Sequence, residues 1–347
     1  MKNIKSKLVF VLVFLLTFSC GEPETTVTDI IHPDGSITRQ IEIRSLSNDF
    51  DPSDIQVPYD STWSIIRDTI EVENGKDTTW IRIAEKDFGE AAEITRHYNN
   101  NNDVNSKTDR SAGFIKNFRW FFTIMKFSER IENNFSYGYP VSDYLSEEEL
   151  EFFYLPDNIS EERKHGPDST RYKDMNESIE KKSERWVSMS LISEWIEEFL
   201  VVMGDRARGD LSRDSLKLKE EAVSKFVLNA SDSLIFATLV GSDNLEKFSN
   251  EVDSANNNIE RKFDIQFSFV KYNMKFIMPG KVIATNGFID SSGVITWPVK
   301  ADYFLTTPYE MWAESKTTNP WAWIVSGLFL LFVIAGLIMR RFGKSHV

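Results

Sequence analysis

A chain of 347 residues with 41% apolar and 13% aromatic content has material for one large folded domain or two smaller ones, and it is not a disordered polymer. Its net charge of −13 is unevenly spread: Lys2, Lys5 and Lys7 at the start and Arg340, Arg341 and Lys344 at the end leave −19 on Gly21–Thr318. A middle that acidic argues against nucleic acid as a partner and against flat docking on anionic lipid.

Behind the three lysines, Leu8–Phe18 is an apolar run ended by Ser19-Cys20-Gly21. This is the layout of a secretory signal, and it is too short to span a bilayer. Cys20 is the only cysteine, so no intramolecular disulfide can form. Leu16-Thr17-Phe18-Ser19-Cys20 resembles a bacterial lipoprotein lipobox, with Phe18 bulkier than usual. That resemblance implies a signal peptide over 1–19, lipid attachment at Cys20 and a short tether to Thr26; the alternative is a plain signal peptide with an incidental cysteine.

Residues 27–318 read as one α+β domain, strands then helices then strands. Val27–Ile31 and Ser36–Ile43 flank His32-Pro33-Asp34-Gly35, the residue types of a tight turn. Thr62–Val72 and Asp77–Ala84 bracket Glu73-Asn74-Gly75-Lys76 as a second hairpin. Lys116–Ile131 reads as one long strand, apolar on both faces (Phe118, Trp120, Phe122, Ile124; Phe121, Met125, Phe127, Ile131), either a central strand between two layers or one lining a ligand. The middle, about 140–258, is helical. Ser146 and Glu149 form a capping-box pattern, Pro156–Asn176 is polar, and Trp186, Met189, Ile192 and Phe199 mark a long helix over Glu177–Met203. Ser212–Leu228 and Asp243–Ala255 are further helices. Arg261–Met278 alternates as a bent strand with a phase slip near Phe269–Val270; Lys281–Thr285, Val294–Val299 and Tyr303–Thr306 follow, with Tyr309–Ala313 as last strand residues. The expected architecture is an antiparallel, curved sheet around the helix Glu177–Met203, enclosing an apolar space.

Trp321–Met339 carries no charge over nineteen residues and reaches about 28 Å, close to the thickness of a bilayer core. Asn319 and Pro320 suit its N-cap and first position. Trp321 and Trp323 suit the headgroup level, and Arg340, Arg341 and Lys344 mark the cytoplasmic side. The spanning helix, about 320–339, places the domain outside a bacterial inner membrane and the tail 340–347 in the cytoplasm. Two short tethers on one leaflet would put the first and last strands at the membrane-proximal end.

The stretch Met278-Pro279-Gly280-Lys281-Val282-Ile283-Ala284-Thr285-Asn286-Gly287, continuing to Ile295-Thr296-Trp297, is similar to a motif of the LppM-like lipoproteins, as is His32-Pro33-Asp34-Gly35-Ser36 soon after a lipidated cysteine. The acidic helical middle departs from that family. The resemblance implies a membrane-tethered α+β domain that handles lipid, and it supplies no catalytic residues.

The four histidines, His32, His97, His165 and His346, are scattered. No paired cysteines, zinc motif, phosphate loop or nucleophile elbow is present. The sequence therefore predicts no catalytic residues, metal or cofactor, and not an enzyme. Two expectations of function remain: an ectodomain binding lipid or another apolar ligand near the outer leaflet, or a scaffold for an envelope protein partner through the acidic helical middle.

Overall fold

Every second residue of Glu24–Ile31 (β1) and Ile37–Ser45 (β2) is buried, the period-two pattern of strands covered on one face. The turn between them closes because Asp34 accepts from the backbone and hydroxyl of Ser36 and Gly35 takes φ 100°, a left-handed conformation that glycine adopts without strain. The computed structural model describes residues 23–46, 57–58, 60–73, 77–100, 109–133, 135, 138–155, 169–227, 230–263 and 271–343. Its remaining strands are Ser64–Glu73 (β3), Asp77–Phe88 (β4), Arg110–Phe118 (β5), Phe122–Ile131 (β6), Tyr272–Ile277 (β7), Lys281–Thr285 (β8), Phe288–Ile289 (β9), Ile295–Val299 (β10) and Tyr309–Thr318 (β11). Its helices are Ala91–Asn100 (α1), Glu147–Phe153 (α2), Ser169–Met203 (α3), Arg213–Ser224 (α4), Asp232–Val240 (α5), Ser242–Lys247 (α6), Ser249–Phe263 (α7) and Pro320–Gly343 (α8).

The fold is α+β with two open sheets. One has the order β3-β4-β2-β1-β7-β10-β9 and the other β5-β6-β11-β8. Pairing is antiparallel except between β1 and β7. Val27, Ile41 and Phe276 of the first sheet share one core with Phe127, Met311 and Ala313 of the second, and the Phe127 and Phe276 rings meet edge to face at 4.8 Å. The sheets therefore pack face to face as a sandwich. Helix α1 adds Ala91, Ile94 and Tyr98 to this core; those residues recur at helical spacing.

Lys116–Ile131 is two strands, not one. β5 and β6 pair from Arg110↔Ile131 to Phe118↔Thr123, and Arg119 and Phe122 exchange backbone hydrogen bonds at 2.8 and 3.3 Å around Trp120-Phe121. The apolar residues that seemed to need two covering layers divide accordingly. Met125, Phe127 and Ile131 are buried in the sandwich, whereas Phe118, Trp120 and Phe121 form an exposed tip.

The helices form a second lobe with its own core. Trp195 of α3 stacks on Phe199 and on Phe236 of α5, and Leu216, Val223, Val252 and Ile259 close around it. α3 packs on α4 and α7 rather than lying inside a curved sheet. It begins at Ser169, eight residues before the expected start, so part of the polar stretch is helical. The capping box is present: Glu149 donates its backbone N–H to Ser146 Oγ, and the Ser146 N–H reaches Glu149 Oε2 at 2.8 Å. Arg261–Phe263 ends α7 instead of beginning a strand, because its apolar period is helical from Val252 through Ala255 and Ile259. The expected phase slip near Phe269 lies outside the described residues. Tyr303–Thr306 is not a strand; Ala301–Phe304 is a 3-10 turn.

Strand direction places the chain ends. β11 continues to Thr318 and passes through Asn319 into α8, so no C-terminal tether exists. β7 runs toward the same end, since Gly280 just after it abuts Lys316 and Thr317. β1 runs parallel to β7, from Thr25↔Tyr272 to Ile30↔Ile277. Its first residue therefore lies at the end opposite α8, and β1 and β11 belong to different sheets. This departs from the expectation that the first and last strands both lie at the membrane-proximal end: β11 ends there, but β1 begins at the far end.

Candidate membrane-contact site

The anchor end of the molecule is built from α8 and the β5–β6 tip. Pro320–Arg340 has a mean hydropathy of 2.5 and only 6% of it is buried, which separates it from a core helix and gives it the length and apolarity to cross a membrane. Asn319 joins the two elements. Its side-chain nitrogen donates to Arg119 O at 2.8 Å and Trp120 O at 3.3 Å, and its backbone N–H donates to Phe121 O at 2.9 Å. Its side-chain oxygen accepts from the Thr123 hydroxyl at 3.1 Å, while its carbonyl accepts from Ala322 N–H to open the helix. Three turn carbonyls are thus satisfied by one residue of another element.

Aromatic contacts extend this junction. Phe118 stacks on Trp321 with centroids 6.1 Å apart, Trp120 meets Trp321 edge to face at 5.1 Å, and Phe121 lies 4.4 Å from Trp323. The Trp120 indole N–H donates to Ser326 Oγ at 2.9 Å, in the second turn of the apolar helix. These rings nevertheless remain open: Phe118 is 56% exposed, Trp120 47% and Trp323 60%. Ile115 is open on the same hairpin. Around them stand exposed cations, Lys116 and Arg119 on the hairpin, Lys281 on β8 and Lys316 on β11. Lys281 and Lys316 are directly paired across the strands, and Lys316 Nζ lies 4.0 Å from the Phe122 ring centroid.

Farther from the anchor, buried charges tie the sheets together. Arg39 of β2 forks onto Asp29 of β1 with both bonds at 2.7 Å and also reaches Glu129 of β6. Arg110 of β5 bonds the other Glu129 oxygen at 2.9 Å; all four side chains are fully buried. Burial works to raise the Glu129 carboxyl, but the two guanidiniums outweigh it and hold Glu129 below the usual carboxylate range. Burial prevails at Asp29, whose carboxyl lies above that range. The Tyr98 ring sits beneath both guanidiniums, 4.5 Å from Arg110 and 5.3 Å from Arg39. The cluster is closed and structural, a cross-sheet lock rather than a reaction centre.

No protein-family model matches the chain, and no curated protein matches it. One solved structure, the NMR structure of the folded domain of Mycobacterium tuberculosis LppM, is similar over 87% of this chain and 93% of that one, at 9% identity and a TM-score of 0.27. At that TM-score the likeness is too slight to bear on function.

The turns that resembled LppM-like lipoproteins have packing roles here. Gly280 takes φ 80°, and a Cβ there would stand 2.6 Å from Lys316 O. Gly287 lies against the Trp297 ring, with no room for a side chain. Asn286 Oδ1 accepts from Trp297 Nε1 and Trp312 N, bracing both sheets. His32 bonds Thr38 Oγ1 at 3.0 Å. His97 bonds Pro58 O at 2.8 Å through Nε2 and meets Lys86 Nζ at 3.2 Å through Nδ1. Among the described residues no cluster of His, Cys, Asp and Glu has the makeup of a metal site. Cys20, His165, Lys344 and His346 lie outside the described residues.

Proposed function

We propose that the chain is a bacterial envelope lipoprotein, held in the inner membrane by an acylated Cys20 and by α8, with its ectodomain outside and its C-terminus in the cytoplasm. The ectodomain is non-enzymatic and binds lipid or another apolar ligand close to the outer leaflet. The observation that carries this reading is the open aromatic tip of the β5–β6 hairpin, joined to the first two turns of α8. Apolar rings exposed at the foot of an anchor have lipid as their natural surroundings. Native mass spectrometry of the full chain released from detergent tests it. Retained lipid adducts are expected; a bare chain that co-purifies with an envelope protein through residues 140–258 defeats it.

That second outcome belongs to the scaffold reading. It draws on the helical lobe having its own core and on an open cleft between α2 and α3 lined by Glu148, Arg171, Asp174 and Lys182, a mixed-charge surface suited to a protein partner.

A further inference from the structure

We propose that the β5–β6 hairpin tip is a second membrane-embedded element, seated at the boundary between headgroups and acyl chains of an anionic phospholipid bilayer. This rests on the reading of α8 as a spanning anchor and names the lipid surface that the anchor end takes. Phe118, Trp120 and Phe121 contact Trp321 and Trp323, and the tip is bonded to Ser326 within the helix. Placing Trp321 and Trp323 at headgroup level therefore places the tip there too. Indole and phenyl rings are favoured at that depth.

The cations set the lipid class. Lys116, Arg119, Lys281 and Lys316 are exposed around the rings, and none has an ion-pair partner among the described residues. Two lysines directly opposed in a strand pair repel each other, yet Lys281 and Lys316 are so placed. Lipid phosphates relieve that repulsion. The overall acidity of the ectodomain opposes a flat approach but not this contact, because Lys116, Arg119, Lys281 and Lys316 stand beside the exposed rings of the tip.

The test uses the full chain with Cys20→Ser, carrying one environment-sensitive NBD label at Arg119→Cys, Leu328→Cys or Asp243→Cys. Leu328 lies in α8 and Asp243 in the helical lobe. Each is reconstituted in nanodiscs of phosphatidylcholine alone or mixed with phosphatidylglycerol. The label at 119 is expected to be blue-shifted and quenched by shallow doxyl lipids, with the label at 328 quenched by deep ones and that at 243 by neither. Phosphatidylglycerol should raise the emission at 119 roughly twofold, and Lys116→Gln with Lys281→Gln and Lys316→Gln should abolish that rise. A label at 119 as aqueous as that at 243, with 328 in the bilayer, overturns the embedded hairpin alone. A label at 328 in water overturns the anchor beneath it. Emission at 119 indifferent to phosphatidylglycerol overturns the anionic preference.

Discussion

Glu129 accepts from two guanidinium groups and is fully buried. Removing its charge leaves Arg110 with no carboxylate and Arg39 with Asp29 alone, and an uncompensated buried charge is costly. Glu129→Gln is therefore expected to lower stability by about 3–5 kcal/mol, read as a reduced midpoint in unfolding of the detergent-solubilised chain. Asp29→Asn should cost less, because Arg39 and Arg110 both keep Glu129 as a carboxylate partner. His97 supplies a pH dependence of known sign. Burial first, then the Lys86 ammonium, lowers its pKa below 6.5, so the unfolded chain binds that proton more readily. Stability consequently rises with pH from the depressed folded value up to about 6.5 and is level above it. His97→Gln should flatten that part of the profile, measured as midpoint against pH.

Among the elements, the β5–β6 hairpin owes its turn to a residue roughly two hundred positions downstream. Asn319→Ala removes the side-chain donor to the carbonyls of Arg119 and Trp120 and cuts the bond to Thr123, while the backbone bond to Phe121 remains. Amide exchange at 118–123 should quicken at least tenfold, corresponding to about 1–2 kcal/mol of lost protection, while exchange in α3 stays unchanged. The same dependence explains why the hairpin was hidden in the sequence. Its loop, Trp120-Phe121, contains none of the glycine, asparagine or aspartate that announces a two-residue turn, and the apolar run continues through it. The β1–β2 turn, by contrast, carries Asp34 and Gly35 and was legible. α3 was legible where its stripe packs, from Trp186 onward, and lost where Ser169–Asn176 is polar and largely exposed. Arg261–Phe263 fits either period over three residues, and only packing with Ile259 decides for the helix.

For the whole molecule, composition was enough to read an α+β domain and one apolar helix, since both depend on local sequence. The anchor-end site was half legible. Trp321 and Trp323 pointed to a membrane level from their place in the chain. Phe118, Trp120 and Phe121 read as a covered strand, because their exposure depends on strand pairing that no local pattern encodes. The proposed orientation predicts that protease added to intact spheroplasts digests the ectodomain and spares a tag placed after Val347. Cys20→Ser should abolish acyl labelling; persistent labelling would remove the lipoprotein assignment.

The direction of β1 bears on the proposed attachment at Cys20. From Glu24 to Ile31 the strand runs about 23 Å toward the end where α8 leaves the domain, so Glu24 starts that far from it. The four steps from Cys20 to Glu24 span at most about 14 Å. With acyl chains at Cys20 in the leaflet that α8 enters, β1 leans from the bilayer normal by at least about 50°. Acylation at Cys20, as proposed, would then act as a guy-rope that makes the domain recline, and its loss in Cys20→Ser would let the far end rise.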